Sequence, residues 1–321
     1  MPKKLFIDGR TGTAAQKITS VLAPFVRAGA VEVIEVESHR DLGQRMAAMA
    51  ASDLAVLCTH DDVSRKTMAA LKEKGITTRV LDTSSAFRSA PEWVYGFPEL
   101  SAAQPKAITE ARYVANPGCY ATGAVAILRP LVDAGLIAPS STLEITGFSG
   151  YSGGGKDMVA AYETGSTDEK LARAILMYSL SAPHKHLPEI TCYSGLTYMP
   201  NFTPHVVPVP CGMIVRISFN EAVLSADLQD VQEVYRAAYA DTNGVIQVVP
   251  FDPPSAQMDF SNFVTINRDF AREMPDDRLG IHVTGWASGV RRQVTVLAAL
   301  DNLGKGAATQ AAQNVGLMLG F

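Results

Sequence analysis

The sequence predicts an α/β protein in two parts: a doubly wound parallel sheet first, then an α+β region built on a mixed or antiparallel sheet. Three observations carry this. Strand-like and helix-like segments alternate one for one up to about residue 116. The run Leu54-Ala55-Val56-Leu57-Cys58 is continuously apolar, as a strand buried on both faces requires. Beyond residue 140, strand-like segments outnumber helical ones and turn residues separate them.

The elements follow in order. Leu5-Phe6-Ile7 is a short apolar run that ends in Asp8-Gly9, and Ile18, Val21, Leu22 and Phe25 continue it with helical spacing. Residues 31–36 are rich in β-branched side chains and predict a second strand, and the Ala- and Met-rich 41–51 predict a helix. After the strand at 54–58 come a helix over 64–74 and strands at 79–81 and 113–115. Strands are then expected at 142–148, 212–219, 245–249, 263–267, 280–287 and 293–299. Helices are expected at 120–134, 168–177, 226–240 and, last, 305–319. No repeat or low-complexity linker separates the halves, so the junction is placed at a tight turn near Asn116.

Composition narrows the function. Of 321 residues, 47% are hydrophobic and 19% charged, within the range of folded soluble proteins. The 28 Lys and Arg against 32 Asp and Glu leave a formal charge of −4, so neither nucleic acid nor an anionic membrane is an expected partner. Cys58, Cys119, Cys192 and Cys211 are scattered, with no Cys-x-x-Cys pair. A disulfide framework and a zinc ribbon are thereby excluded, and a reducing compartment is favoured. Met1 to Asp8 lacks the apolar core of a signal peptide. The longest uncharged stretch, 190–215, carries Pro200, Pro204, Pro208 and Pro210, which a membrane helix would not tolerate together. A cytoplasmic location is expected.

Gly9-Arg10-Thr11-Gly12-Thr13-Ala14 joins the first strand to the first helix, the setting a dinucleotide pyrophosphate needs. Its Gly-x-x-Gly-x-x-Ala spacing, with Ala15 in third place, departs from Gly-x-Gly-x-x-Gly, so a plain strand-to-helix turn is the competing reading. The second strand runs into Glu35-Val36-Glu37-Ser38-His39-Arg40. An acid there would bind the ribose 2′-hydroxyl of NAD and an arginine the 2′-phosphate of NADP, so Glu37 and Arg40 point opposite ways. Cys58 closes a buried strand beside the expected cofactor crevice.

Asn116-Pro117-Gly118-Cys119 turns from a strand into a long apolar helix. At a helix start, free N–H groups and the dipole favour a thiolate, so Cys119 is a candidate nucleophile, set against a small core residue. The other three cysteines read as core or crevice lining, with Cys192 and Cys211 in strand-like surroundings. In His184-Lys185-His186-Leu187-Pro188-Glu189, an extended backbone would put both histidines on one face. They read as an acid/base, a metal pair or surface residues. Metal is disfavoured because a third and fourth ligand at recognised spacing are missing. His39, His60, His205 and His282 are isolated and read as surface or core residues.

Together these pieces resemble the N-acetyl-gamma-glutamyl-phosphate reductases of arginine biosynthesis, in their shorter, type 2 form. The resemblance runs through Phe6 to Gly12, Asp82 to Arg88, Asn116 to Thr122, Ser152-Gly153-Gly154-Gly155-Lys156, His184 to Ile190, Phe202 to His205, and Asp301 to Ala307, in family order. It implies a Rossmann-type dinucleotide-binding domain over 1–116 with the terminal helix 303–321, and a catalytic and dimerisation domain over 117–302. It implies NADP(H) as cofactor, which favours Arg40, and a homodimer or homotetramer acting on a small acyl phosphate. Cys119 would be the nucleophile and His184 the acid/base. Arg88, Asn116, Lys156, Tyr178, His186 and Glu189 would meet the substrate. Gly9, Arg10, Thr11, Gly12, Thr13, Ala14, Ser38, Arg40, Cys58, Ser84, Ser152, Gly153, Gly154 and Asn302 would meet the cofactor. Lys156 stands where an arginine is common, and lysine cannot grip an oxyanion bidentately. The rival readings are aspartate-semialdehyde dehydrogenase, a related acyl-phosphate reductase and an inactive NADP sensor.

Overall fold

A computed structural model describes residues 1–172, 174–250, 277–288 and 291–321. The chain divides into two compact units, Met1–Gly118 with Ala307–Phe321, and Cys119–Gly306.

The first unit is a six-stranded parallel sheet. Its strands are β1 (Lys3–Asp8), β2 (Val31–Ile34), β3 (Leu54–Leu57), β4 (Arg79–Asp82), β5 (Val94–Tyr95) and β6 (Tyr113–Ala115), in the order β2-β1-β3-β4-β6-β5. Strand alternation sorts its apolar residues between two cores. Leu5, Ile7, Val56 and Leu81 pack with Ile18 and Leu22 of α1 (Thr13–Arg27). Phe6, Ala55, Leu57 and Val80 face the other way, onto Met46 and Met49 of α2 (Leu42–Ala50) and Met68 and Leu71 of α3 (Asp61–Glu73). Helix α4 (Gln104–Glu110) contributes Ile108 to the first core. Sheet order reverses between β1 and β3, so the carboxyl ends of those strands flank the point where such folds bind ligands.

The second unit opens with α5 (Cys119–Asp133) and holds a seven-stranded mixed sheet, β11-β12-β13-β10-β7-β9-β8. The strands are β7 (Glu144–Gly150), β8 (Leu176–Met177), β9 (Asn201–Val207), β10 (Met213–Asn220), β11 (Ile246–Pro250), β12 (Leu279–Ser288) and β13 (Arg291–Leu300). Among the described residues its other helices are α6 (Lys156–Glu163), α7 (Thr167–Ala172), α8 (Leu187–Ser194) and α9 (Leu228–Ala238). Gly123 lets α5 lie close on the sheet: a Cβ there would stand 2.8 Å from Val215.

Most expected elements are present within a few residues. The strand expected at 263–267 lies outside the described residues. The helix expected at 168–177 is a correction: α7 stops at Ala172, and Leu176 and Met177 instead pair with Val206 and His205 of β9. That ladder is a long-range pairing, which outweighs local propensity in so short a segment. The terminal helix α10 (Thr309–Leu319) is preceded by a widened turn, Gly304–Ala308. It joins the first unit, where Asn314 Nδ2 donates to Gly96 O at 2.8 Å and to Asn116 Oδ1 at 3.0 Å. Among the described residues no helix is long and apolar enough to cross a membrane.

Candidate active site

In the second unit, Cys119 is the first residue of α5, where the turn through Pro117 and Gly118 delivers it. Gly306 makes room for it: a Cβ at that glycine would lie 2.9 Å from Cys119 Cβ and 3.0 Å from Asp301 O. Cys119 is near enough to Tyr120 and Tyr178 for its charge to disfavour their ionisation. Burial is the main reason that Tyr178 is pushed up to about 12 and Tyr120 well above the ordinary phenol range. Both therefore stay neutral hydroxyls at working pH.

His184 is buried at the centre of an aromatic cluster. Its ring meets those of Tyr120 at 5.8 Å, Phe202 at 5.1 Å, Tyr178 at 5.6 Å and His186 at 4.6 Å, each edge-on. The His186 backbone N–H donates to His184 Nδ1 at 3.1 Å, and His184 Nε2 lies 3.4 Å from the Tyr178 hydroxyl. An extended strand is not what joins the two histidines. His186 adopts a helical conformation as the N-cap of α8, and the turn brings both rings inward. The surface-histidine reading is thus corrected, because both are buried. Glu189, in the first turn of α8, is also buried.

The cluster includes residues that sequence reasoning left out of the site. The Tyr120 hydroxyl donates to His205 O at 2.9 Å. Gly147 accommodates that ring, since a Cβ there would fall 2.4 Å from it. His205 is half-buried and stacks on Phe148, and its Nδ1 lies 3.1 Å from Gly147 O. The signal for Tyr120 was its place beside Cys119; Phe202 and His205 are 82 and 85 residues further along, and their signal was the Phe202-Thr203-Pro204-His205 segment that carries part of the family resemblance.

A second cluster in this unit gathers Ser152, Gly153 and Asn302. Asn302 Nδ2 donates to Ser152 Oγ at 3.0 Å, and Asn302 Oδ1 accepts from Gly212 N–H at 2.8 Å. A Cβ on Gly153 would stand 3.0 Å from Asn302 Nδ2, and one on Gly154 would overlap the Met158 sulfur at 2.3 Å. Lys156 is exposed at the start of α6. Cys192 and Cys211 are corrections. Both are exposed rather than core residues, Cys192 on α8 and Cys211 in the bend before β10.

In the first unit the loop Gly9 to Gly12 has the shape of a pyrophosphate cradle. Gly9 has φ +77, and a Cβ on it would sit 2.3 Å from Cys58 O. Helix α1 begins at Thr13 with no side-chain cap and no acid in its first turn, an electrostatic setting compatible with an anion. Arg10 pairs with Glu35. Ser38 Oγ accepts from the Arg40 N–H at 3.3 Å, and the Arg40 side chain is exposed. Burial pushes the Cys58 thiol up to about 12, with Asp82 and Asp8 adding to the effect against a hydrogen bond to Thr83, so it stays an unreactive thiol. Ser84 donates to Asp82 Oδ2 at 2.6 Å. Arg88 is buried, its Nε donating to Asn116 O at 2.9 Å and its Nη2 to Thr83 O at 3.1 Å. The Asn116 amide donates to Ala307 O at 3.0 Å and accepts from Asn314.

A parallel sheet with a glycine-rich switch-point loop, joined in sequence to a mixed-sheet unit that begins on a cysteine, has recognisable counterparts. Residues 9–109 match the family model "Semialdehyde dehydrogenase, NAD binding domain", and residues 119–302 match "Semialdehyde dehydrogenase, dimerisation domain". The chain belongs to the semialdehyde dehydrogenase family. Within it, the chain groups with the N-acetyl-gamma-glutamyl-phosphate reductases. Those of Brucella ovis and Brucella melitensis are each 39% identical to it, over all of both chains.

Solved structures share the fold at lower identity. Aspartate semialdehyde dehydrogenase from Francisella tularensis has a TM-score of 0.70 at 11% identity, covering 98% of this chain and 99% of its own. That from Candida albicans, solved with NADP, has a TM-score of 0.65 at 15% identity, covering 99% and 98%.

Proposed function

We propose that this chain catalyses the NADPH-dependent reduction of N-acetyl-gamma-glutamyl phosphate to N-acetylglutamate semialdehyde and phosphate, a step of arginine biosynthesis. The chemistry rests on one observation: a helix-start cysteine lies within electrostatic reach of Tyr178, whose hydroxyl is 3.4 Å from the buried His184. The choice of substrate rests on the full-length likeness to reductases of that name. Aspartate semialdehyde dehydrogenases share only the fold at these identities, so that alternative is the weaker reading.

The Cys119 thiolate attacks the acyl carbonyl, the C–O bond to phosphate breaks, and a thioester remains. N–H groups in the first turn of α5 are suited to holding the negative charge that develops on the carbonyl oxygen. NADPH, when bound, supplies hydride for the thioester carbon. His184, as the acid/base, donates a hydrogen bond from its Nε2–H to the resulting alkoxide and releases it as the C–S bond breaks, leaving the aldehyde and the Cys119 thiolate. Arg88 is assigned to the substrate carboxylate, and Tyr178, His186, Glu189, Lys156 and Asn116 to the remaining substrate contacts. Gly9 to Ala14 would hold the pyrophosphate. Ser38 and Arg40 would face the adenosine ribose, Cys58 and Ser84 would line the crevice, and Ser152, Gly153, Gly154 and Asn302 would serve the nicotinamide.

The two domains are assigned as 1–116 with 303–321 for the cofactor and 117–302 for catalysis. The dimerisation-domain match supports an oligomer, here assigned as a homodimer or homotetramer in the cytoplasm. The deciding assay is phosphate-dependent reduction of NADP with N-acetylglutamate semialdehyde, run beside aspartate semialdehyde. Faster turnover of the latter would overturn the substrate assignment.

A further inference from the structure

The loop after β2 carries acids at Glu35 and Glu37 as well as the cation Arg40, an unfavourable setting for a 2′-phosphate if Arg40 worked alone. Glu35 is already paired with Arg10. The next residue of interest, His39, does not extend into solvent as an isolated loop histidine would. Its ring stacks on Phe6, a fully buried residue of β1, with centroids 5.8 Å apart and planes 14° apart. Its Nδ1 lies 3.5 Å from Asp8 Oδ1, and the side chain is 27% exposed. That nitrogen is buried and has no hydrogen-bond partner, so the exposed part of the ring lies elsewhere.

Asp8 is itself held from several sides. Arg45 Nε lies 3.0 Å from both carboxylate oxygens and its Nη2 also bonds Oδ2, while the Gly9 N–H donates to Oδ1 at 3.1 Å. The Arg45 guanidinium also bonds Thr67 and is buried, so it is committed to the interior. The loop therefore folds back across the carboxyl end of β1 and parks an imidazole beside the first glycine of the cradle. In a parallel nucleotide-binding sheet the adenosine ribose lies between that glycine loop and the end of the second strand. An imidazole with one nitrogen turned into the interior towards a carboxylate has only the other to offer to a ligand.

We infer that His39, seated on Phe6 with its Nδ1 turned towards Asp8, is a second ligand for the adenosine 2′-phosphate beside Arg40, and a determinant of cofactor choice. This rests on the reading of the chain as an NADP(H) enzyme. A charge-assisted bond to phosphate is lost with the ring, whereas the shared adenosine and 5′-phosphate contacts are not.

The test is calorimetric binding of adenosine 2′,5′-bisphosphate and of 5′-AMP to the full chain, unmodified and as His39→Ala, His39→Gln and Arg40→Ala. His39→Ala and His39→Gln should each weaken the bisphosphate about tenfold while 5′-AMP stays within about twofold, which also shows that the site remains folded. If the unmodified chain prefers the bisphosphate and both His39 variants keep that preference, the inference is overturned and the NADP(H) reading stands. If the unmodified chain binds both nucleotides equally, the NADP(H) reading fails and takes the inference with it. A variant that loses both ligands equally also overturns the inference, by making His39 a support for the cradle as a whole.

Discussion

The His186 backbone N–H donates to His184 Nδ1 at 3.1 Å, and this fixes which nitrogen of the catalytic candidate carries the proton. A backbone amide can only donate, so Nδ1 must accept and the neutral ring is protonated at Nε2, the nitrogen facing Tyr178. Nitrogen-15 NMR of the labelled chain should show His184 as the Nε2–H tautomer. A dominant Nδ1–H signal would contradict the assignment.

Cys119→Ala should abolish turnover, by at least about a hundredfold, while NADPH still binds with nearly unchanged affinity. Alanine fits a helix start, so the fold should survive. Retention of more than a few per cent of activity would remove Cys119 from the mechanism.

Gly306→Ala tests the same thiol from the other side. The added methyl would meet Cys119 Cβ at 2.9 Å and the Asp301 carbonyl at 3.0 Å, and neither is the end of a flexible side chain. Activity should fall at least about tenfold, since small displacements of a reacting group are costly. A fully active variant would show that the thiol tolerates displacement.

Asp82 predicts a pH dependence of stability. Burial, offset in part by hydrogen bonds from Ser84 and Ser64 and by Arg88, pushes its carboxyl up to about 6. The unfolded chain has an ordinary value of about 3.9. The folded state thus binds this proton more tightly, so the contribution of Asp82 to stability is fully present below about pH 4 and is lost as pH rises through about 6, by about 3 kcal/mol. Asp82→Asn cannot titrate and should lose this decline, measured as the difference between urea melts at several pH values. Parallel pH profiles for the two proteins would mean that the carboxyl is ionised throughout.

Gly96→Ala should loosen the terminal helix. Its Cβ would lie 2.5 Å from Asn314 Nδ2, 3.0 Å from Val114 and 3.1 Å from Ala115 O, in the middle of the hydrogen bonds that seat α10. Overpacking of this kind costs about 1–3 kcal/mol, readable in thermal melts. An unchanged melting temperature would show that Asn314 swings aside at no cost.

What the sequence made legible was mostly local or periodic. Leu54 to Leu57 forms a strand wherever both faces are covered, and Pro117-Gly118 before an apolar helix places Cys119 without any knowledge of its neighbours. What stayed hidden depended on distant partners. Arg45 reads as a surface residue of an Ala-rich helix, yet it is buried against Asp8, 37 positions earlier. Strands β5 and β8, two residues each, exist only because β6 and β9 offer them a ladder. The helical setting of Cys192 was readable, since Pro188-Glu189 is a first-turn signature; the neighbouring histidines drew the reading elsewhere. His39 looked isolated because neither Phe6 nor Asp8 lies near it in sequence.

The chain leaves the nucleotide unit at Gly118 and re-enters it at Ala307. The buried amide of Asn116 waits for Asn314, and the guanidinium of Arg79 for the carbonyl of Met318. During synthesis the sheet of the first unit is therefore complete long before its covering helix emerges from the ribosome. Leu5, Ile7 and Leu81 belong to the same core as Val315 and Met318, so they keep an uncovered apolar flank while the entire second unit is being made. The order of translation thus makes the second unit the first that can close, and the nascent nucleotide sheet is the segment most in need of chaperone cover.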